Sequence, residues 1–109
     1  MYRATTPTHV FVFEVDPEEN FKTMLITYSQ NGEIVLEKEK DDLTFEEKEE
    51  CSGIVYHATL QLTQEESNLF VADKIVSVQI RAVSYDGDVV ASEKMSVSVK
   101  DVLNDEVLT

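Results

Sequence analysis

The sequence has no tryptophan, a single cysteine, three glycines and two prolines. The lone Cys51 cannot form an intrachain disulfide, which excludes a small domain held together by disulfide bonds. No nucleophile signature surrounds it, and an unpaired thiol is typical of a reducing compartment. The apolar run from Val10 to Phe13 is far too short to cross a bilayer. The opening MYRATTPTH lacks the apolar core of a signal peptide, so we expect a cytoplasmic protein.

Basic residues are scarce as well. Nine Lys and Arg stand against 22 Asp and Glu, which gives a net charge of −13. Such a surface repels phosphate backbones and anionic lipids, so neither nucleic acid nor a membrane is an expected partner. The 109 residues can build one hydrophobic core but not two, and the apolar fraction of 42% is ordinary for a folded domain. We therefore expect a single domain over 1–109.

Apolar residues recur at every second position along most of the chain, which is the pattern of β-strands. The first strand differs from the others because both of its faces are apolar. Val10 and Val12 share one face, and Phe11, Phe13 and Val15 share the other. The predicted strands cover 8–15, 22–29, 33–38, 54–62, 76–82 and 91–99. The residues expected to be largely buried are Tyr56, Leu60, Val78, Ile80 and Val97.

The second and third strands are joined at Gln30-Asn31-Gly32. A three-residue loop opposes Tyr28 to Ile34 and Ile26 to Leu36, which makes one face of the hairpin uniformly apolar. A two-residue Asn-Gly loop would put the apolar sets on opposite faces. Because burial strongly specifies register, we predict the three-residue loop, with its glycine in the left-handed conformation of a G1 bulge.

The last two strands are joined at Asp86-Gly87, a strong hairpin signal. Here a two-residue loop matches the apolar faces. It leaves one mismatch, Glu93 opposite Ile80, which we interpret as a bulge. The predicted pairs are Ala82 with Ala91, Val78 with Met95, and Val76 with Val97.

Two further segments lie between the strands. Residues 37–50 are nearly all charged, and we expect an exposed loop, not a binding site. Leu43 and Phe45 suit a short edge strand, whereas Thr44 and Glu47 could instead cap a helical turn, and both interpretations stay open. Farther on, Thr63 and Glu66 have the spacing of a capping box, which predicts a helical turn that carries Leu69 and Phe70 back to the core.

These elements predict an all-β fold, because no long helix is available to cover a sheet. An antiparallel two-sheet sandwich buries the apolar stripes. A helical turn before the last hairpin is common in immunoglobulin-like sandwiches, which makes that topology the first expectation and a small Greek-key barrel the second. The Cys and Trp marks of true immunoglobulin domains are missing.

Residues that could carry chemistry are few. His9 and His57 have no second ligand at metal spacing, and both are predicted to be exposed strand residues. The three glycines fall where turns need them, so no phosphate-binding loop is present. Asp86 and Asp88 are interpreted as hairpin residues, since the ligand series of a calcium loop is lacking. We predict no catalytic, cofactor-binding or metal site, and no enzyme.

Several stretches resemble, in order, small structural proteins of tailed bacteriophages and prophages of Gram-positive bacteria. The opening Tyr2-Arg3-Ala4-Thr5-Thr6-Pro7-Thr8 is similar to their "RGTTPT" start, with Ala4 where Gly is usual. Residues 26–30, ITYSQ, are similar to "ITYAQ", and 62–67, LTQEES, to "LTQEET". Residues 78–92 are similar to "VQIRxxxxDGxxxAS", and the tail 102–108 also fits. Residues 37–50 are more acidic here, and we interpret them as a variable surface loop.

The resemblance implies a small all-β virion component, of the tail or baseplate region. We therefore expect a non-catalytic structural or assembly protein, present in the bacterial cytoplasm during assembly and then in the virion. Its expected partners are other virion proteins or copies of itself. The alternative is an immunoglobulin-like accessory module that binds a glycan or a cation. Exposed strand edges and apolar tails pair with other subunits. The candidate assembly surface comprises Val10, Val12, Val102, Leu103, Val107 and Leu108.

Overall fold

The computed structural model describes all 109 residues, and strands make up most of its regular structure. The first strand ends at Phe13, not at Val15 as predicted. A helical turn follows it, with Pro17 as its first residue and Asp16 as the N-cap, whose side chain accepts from the Glu18 N–H. The strands are β1 (Thr8–Phe13), β2 (Phe21–Gln30), β3 (Glu33–Glu39), β4 (Thr44–Glu50), β5 (Gly53–Gln61), β6 (Ile75–Ser84), β7 (Val89–Ala91) and β8 (Met95–Ser98). The helical turns are α1 (Pro17–Asn20), α2 (Gln64–Ser67) and a 3₁₀ turn at Lys40–Asp42.

The strands form two antiparallel sheets. One has three strands in the order β1-β5-β4, and the other has the order β3-β2-β6, with β7 and β8 both paired to β6. This order corresponds to an immunoglobulin-like sandwich without its first strand. The helical turn α2 precedes the final hairpin, with Thr63 and Glu66 forming the capping box. The fold class and the helical turn are as predicted.

The core lies between the sheets and is built from the inward residues of each strand. On β2 these residues are Met24, Ile26 and Tyr28, each no more than 1% exposed, and Phe70 closes one end of the core. Burial of Leu60, Val78 and Ile80 is confirmed. Val97 is only partly buried. Tyr56 is half-buried because it lies near the open end of β5, where Ile54 is exposed.

The β2–β3 hairpin differs from its prediction. Ser29 pairs with Ile34 across a two-residue Asn31-Gly32 loop, and both loop residues have positive φ, as a type I′ turn requires. The register then shifts, so that Tyr28 pairs with Leu36 and Val35 is the extra residue of a bulge. The Asn31-Gly32 sequence thus adopts the type I′ turn that it favours locally. The bulge then brings Leu36 back to the buried face, opposite Tyr28. Ile34, before the bulge, points outward.

The β6–β7 hairpin also differs from its prediction, but its loop is longer than expected, not shorter. Val83 pairs with Val89, and the loop holds three residues, with Gly87 at φ +92° in the position of a G1 bulge. Ala82 consequently faces Val90, not Ala91. One extra residue within 92–94 shifts the register back, and the predicted bulge near Glu93 is present. The predicted pairs Val78–Met95 and Val76–Val97 are confirmed.

The acidic stretch 37–50 is not the loop that we expected. It forms the end of β3, the 3₁₀ turn and the edge strand β4, with Leu43 buried and Phe45 half-buried. The edge-strand interpretation of Leu43 and Phe45 is therefore the right one, since the apolar pair packs inward while the charges stay in water. After α2, Phe70 is buried as predicted, but Leu69 is 55% exposed.

Candidate assembly surface

The outer face of β1 is the first part of the predicted surface. Phe11 is buried and Phe13 half-buried, whereas Val10 and Val12 are 49% and 61% exposed. β1 is also an edge strand, hydrogen-bonded to β5 alone. An edge strand with apolar side chains on its outer face is a ready site for pairing with another chain.

The second part begins where the two ends of the chain meet. Tyr2 forms a parallel bridge with Lys100, in which Lys100 N donates to Met1 O at 2.7 Å and Arg3 N donates to Lys100 O at 3.0 Å. The Lys100 ammonium lies 5.6 Å from the centre of the Tyr2 ring, a cation–π distance. Residues 1–3 thus fix the point at which the tail leaves β8.

Arg3 links this junction to the tail and to the segment after α2. Its Nη1 lies 3.1 Å from Asp101 and 3.2 Å from Asp105. Its Nε donates to Phe70 O at 2.9 Å. The Arg3 side chain is 20% exposed, but Asp101 and Asp105 are each 58% exposed, so water screens the two ion pairs. The bond to Phe70 O is part-buried and is screened less.

The tail, residues 101–109, is held mainly by its backbone. The Gln64 amide binds Leu108 twice: Nε2 donates to the Leu108 carbonyl and Oε1 accepts from the Leu108 N–H, both at 2.7 Å. Asn68 Nδ2 donates to the Asp105 carbonyl at 3.0 Å. These bonds leave the apolar side chains free. Leu103 is fully exposed, Leu108 is 74% exposed, Val107 is 37% exposed and Val102 is half-buried.

The platform beneath the tail is rigidified by buried polar groups. Ser67 is fully buried; its Oγ donates to Thr5 O at 2.8 Å and accepts from Thr5 N at 3.2 Å. Gln30 holds the backbone of Val71 in the same two-bond manner as Gln64 holds Leu108, at 2.8 and 2.7 Å. Such satisfied polar networks specify one arrangement of the segments that they join.

His9 is not the exposed strand residue that we predicted. Its ring is half-buried, and Nδ1 lies 2.7 Å from the hydroxyl of Tyr28, which is itself fully buried. Burial lowers the pKa of His9 and raises the pKa of Tyr28, so the neutral imidazole and the protonated phenol are favoured. His57 is also half-buried, on β5. His9 therefore joins the two sheets through a polar contact.

An ion pair joins the edge strand β3 to the helical turn α2. Lys38 on β3 pairs with Glu66 of α2, and both side chains are less than one-fifth exposed. Burial would raise the pKa of Glu66, but the hydrogen bonds from Lys38 and Thr63 outweigh it and hold the pKa below its usual value. An inward-facing charge on an edge strand also guards that edge against unwanted pairing.

No group of three or more His, Cys, Asp or Glu side chains comes together as a metal site would require. Cys51 is exposed in the loop between β4 and β5. None of the helices is both long and apolar enough to span a membrane. Around the tail, hydrogen bonds hold the main chain while apolar side chains stay exposed, so this surface can contact another protein.

Comparison with models of protein families gives no match to this chain, and comparison with curated proteins gives none either. The structure places Val10 and Val12 on β1 and the four apolar tail residues beyond β8, on separate elements. Sequence reasoning missed Arg3, Gln64 and Asn68, which hold the tail, because nothing in their spacing signals a contact with residues about 40 to 100 positions away.

Proposed function

We propose that this protein is a non-catalytic structural or assembly protein that acts by contact with other protein subunits. Following the sequence resemblance, its setting is a phage or prophage particle, in the tail or baseplate region. Its partners are other virion proteins or further copies of itself. It is made in the bacterial cytoplasm and then enters the virion.

The observation that carries this proposal is the way the tail is held. Hydrogen bonds from Gln64 and Asn68 go to the tail's backbone, so its course is ordered while Leu103 and Leu108 remain in water. Ordering a segment costs conformational entropy, and exposing apolar surface adds no compensation. A partner that binds a segment already held in place avoids that entropy cost at the moment of binding.

The edge strand β1 supports the same function. Val10 and Val12 lie on the outer face of a strand whose second edge has no partner in this chain. Addition of a strand from another subunit would pair the free backbone groups and cover these side chains. The proposal needs no reacting group, and it makes use of surfaces that the fold itself leaves uncovered.

The test replaces tail side chains without disturbing the tail's anchors. In the full chain, Leu103→Ser combined with Leu108→Ser should lower self-association measured by light scattering over a concentration series. Ile34→Ser is the matched control, since Ile34 is a 64% exposed aliphatic residue on β3 and not part of the tail. The free energy of unfolding should change by less than about 0.5 kcal/mol in each variant, because all three side chains are exposed.

Removal of residues 101–109 should lower self-association further. A full chain that is monomeric at high concentration, with truncation affecting stability alone, would remove the tail from the proposal. The particle setting has its own test: the protein should be found by mass spectrometry in purified particles, and genes for tail or head proteins should flank its gene.

A further inference from the structure

The outer face of the five-stranded sheet carries a hollow of about 560 Å³. Since Met24 and Ala82 point into the core, their neighbours Leu25, Arg81 and Val83 point outward and line it. Val89 of β7 adds to the apolar floor. This hollow, which we name the sheet groove, therefore offers apolar surface with charged groups at its margin.

The charge of the sheet groove sets it apart from the rest of this acidic chain. Lys22, Lys40 and Arg81 line it together with Glu39 and Asp41. Arg81 also borders a neighbouring hollow of about 100 Å³, in which Lys94 is the other charged residue and the remaining lining is Ser, Thr and Gln.

These basic side chains differ in the hydrogen bonds and ion pairs that they form within the chain. Lys40 donates to the backbone carbonyls of Glu18 and Phe21. Lys22, Arg81 and Lys94, by contrast, take part in none of the four ion pairs of the structure. Unpaired cations around an apolar floor favour a partner that is both acidic and apolar.

The tail of this chain has that composition and lies at the other end of the molecule. The sheet groove is at the Phe21 end of β2, whereas Gln30 at the opposite end binds Val71, close to the platform that holds the tail. The molecule is 45 Å long. Glu106 is exposed beside Val107 and Leu108. Complementary surfaces at opposite ends of one chain make a head-to-tail contact between copies.

We propose that the sheet groove of one copy receives the tail of a second copy. Leu103 and Leu108 pack on the apolar floor, and Glu106 pairs with Arg81. This inference depends on the proposed assembly function and names its partner as the same protein. Because the contact is heterologous, repetition of it builds a ring or a filament.

The experiment reverses one charge in the groove. Arg81→Glu in the full chain should weaken self-association on the order of tenfold at low ionic strength, because a like charge then faces Glu106. Lys48→Glu is the matched control: it makes the same change in net charge on β4, in the other sheet. Lys94→Glu is a second groove variant, and unfolding curves show whether each variant folds.

Complementary reversal sharpens the test. Glu106→Arg should also weaken self-association, and mixing it with Arg81→Glu should restore association between the two variants only. An unchanged association of Arg81→Glu, or an equal loss in Lys48→Glu, would overturn the groove as the acceptor. If the serine variants of the tail still weaken association in that case, the assembly function stands while the groove assignment fails.

Discussion

The two sheets differ in the regularity of their strand pairing. In the three-stranded sheet, β5 pairs with β1 and with β4 without any register shift. In the five-stranded sheet, β2 is irregular against both β3 and β6, and one residue is inserted between β7 and β8 where they pair with β6. Both hairpins whose loop lengths differ from the predicted ones, β2–β3 and β6–β7, lie in this second sheet.

The difference lies in the turns. Asn31-Gly32 and the loop ending at Gly87 have strong backbone preferences of their own, and each sets a register that conflicts with the buried face. A bulge after each turn resolves the conflict. The β4–β5 hairpin has no such conflict, because most side chains of β4 are charged and stay in water on either face.

The largest expected effect is in the regular sheet. Leu60 on the central strand β5 is 1% exposed, so Leu60→Ala should lower the free energy of unfolding by about 2–5 kcal/mol through lost burial and the cavity left behind. Ile34 points outward just before the bulge, so Ile34→Ala should lower the free energy of unfolding by less than about 0.5 kcal/mol. Denaturant melts measure both. A loss below about 1 kcal/mol for Leu60→Ala would mean that β5 is not central.

A smaller effect is expected at the turn of the irregular sheet. Gly32 has φ +78°, and no heavy atom beyond its two chain neighbours lies within 4 Å of the place that a methyl group would occupy. Gly32→Ala should therefore cost about 1–2 kcal/mol from backbone strain alone. Gly32→Asn should cost less, because asparagine tolerates the left-handed conformation. Equal losses for the two variants in thermal melts would show that the turn is not left-handed at this position.

The control for the Gly32 variants is the opposite substitution, alanine to glycine, at another residue with positive φ. Ala4 has φ +55°, a left-handed conformation that favours glycine. Ala4→Gly should therefore raise stability, by up to about 1 kcal/mol once the greater freedom of glycine in the unfolded chain is counted. A destabilised variant would argue against backbone strain at both sites.

The smallest effect concerns the contact that joins the sheets. Burial lowers the pKa of His9 from its usual 6.5, so the folded state favours the neutral ring. The resulting stability is fully present above pH 6.5 and is lost as the pH falls toward the lower folded pKa, because the unfolded chain binds the proton first. Melts between about pH 7 and pH 5 avoid the titration of Glu66, which lies lower.

His9→Gln is the comparison variant for this measurement. It removes the titrating ring, so the loss of stability between these two pH values should be smaller than in the unaltered chain. The same pH dependence in both proteins would assign it to other groups.

Much of the fold could be predicted from local pattern. The alternation along β5, the capping box at Thr63 and Glu66, and the two Gly-containing turns each depend on residues close together in the chain. Their energetics are set within a few residues, so most of the strands, the helical turn α2 and the two-layer class could be predicted from the sequence alone. The strand β4 and the turn α1 could not, because 44–50 is nearly all charged and Pro17–Asn20 spans a single turn.

The bulges and the anchored tail depend on contacts between segments that are distant in the chain. Ile34 points outward because the turn and the buried face, which lie in different parts of the hairpin, are satisfied together only if Val35 bulges. Arg3 reaches Asp105, and Gln64 reaches Leu108, across 102 and 44 positions of the chain. Such contacts depend on where the folded backbone brings distant polar groups, and no local periodicity encodes that.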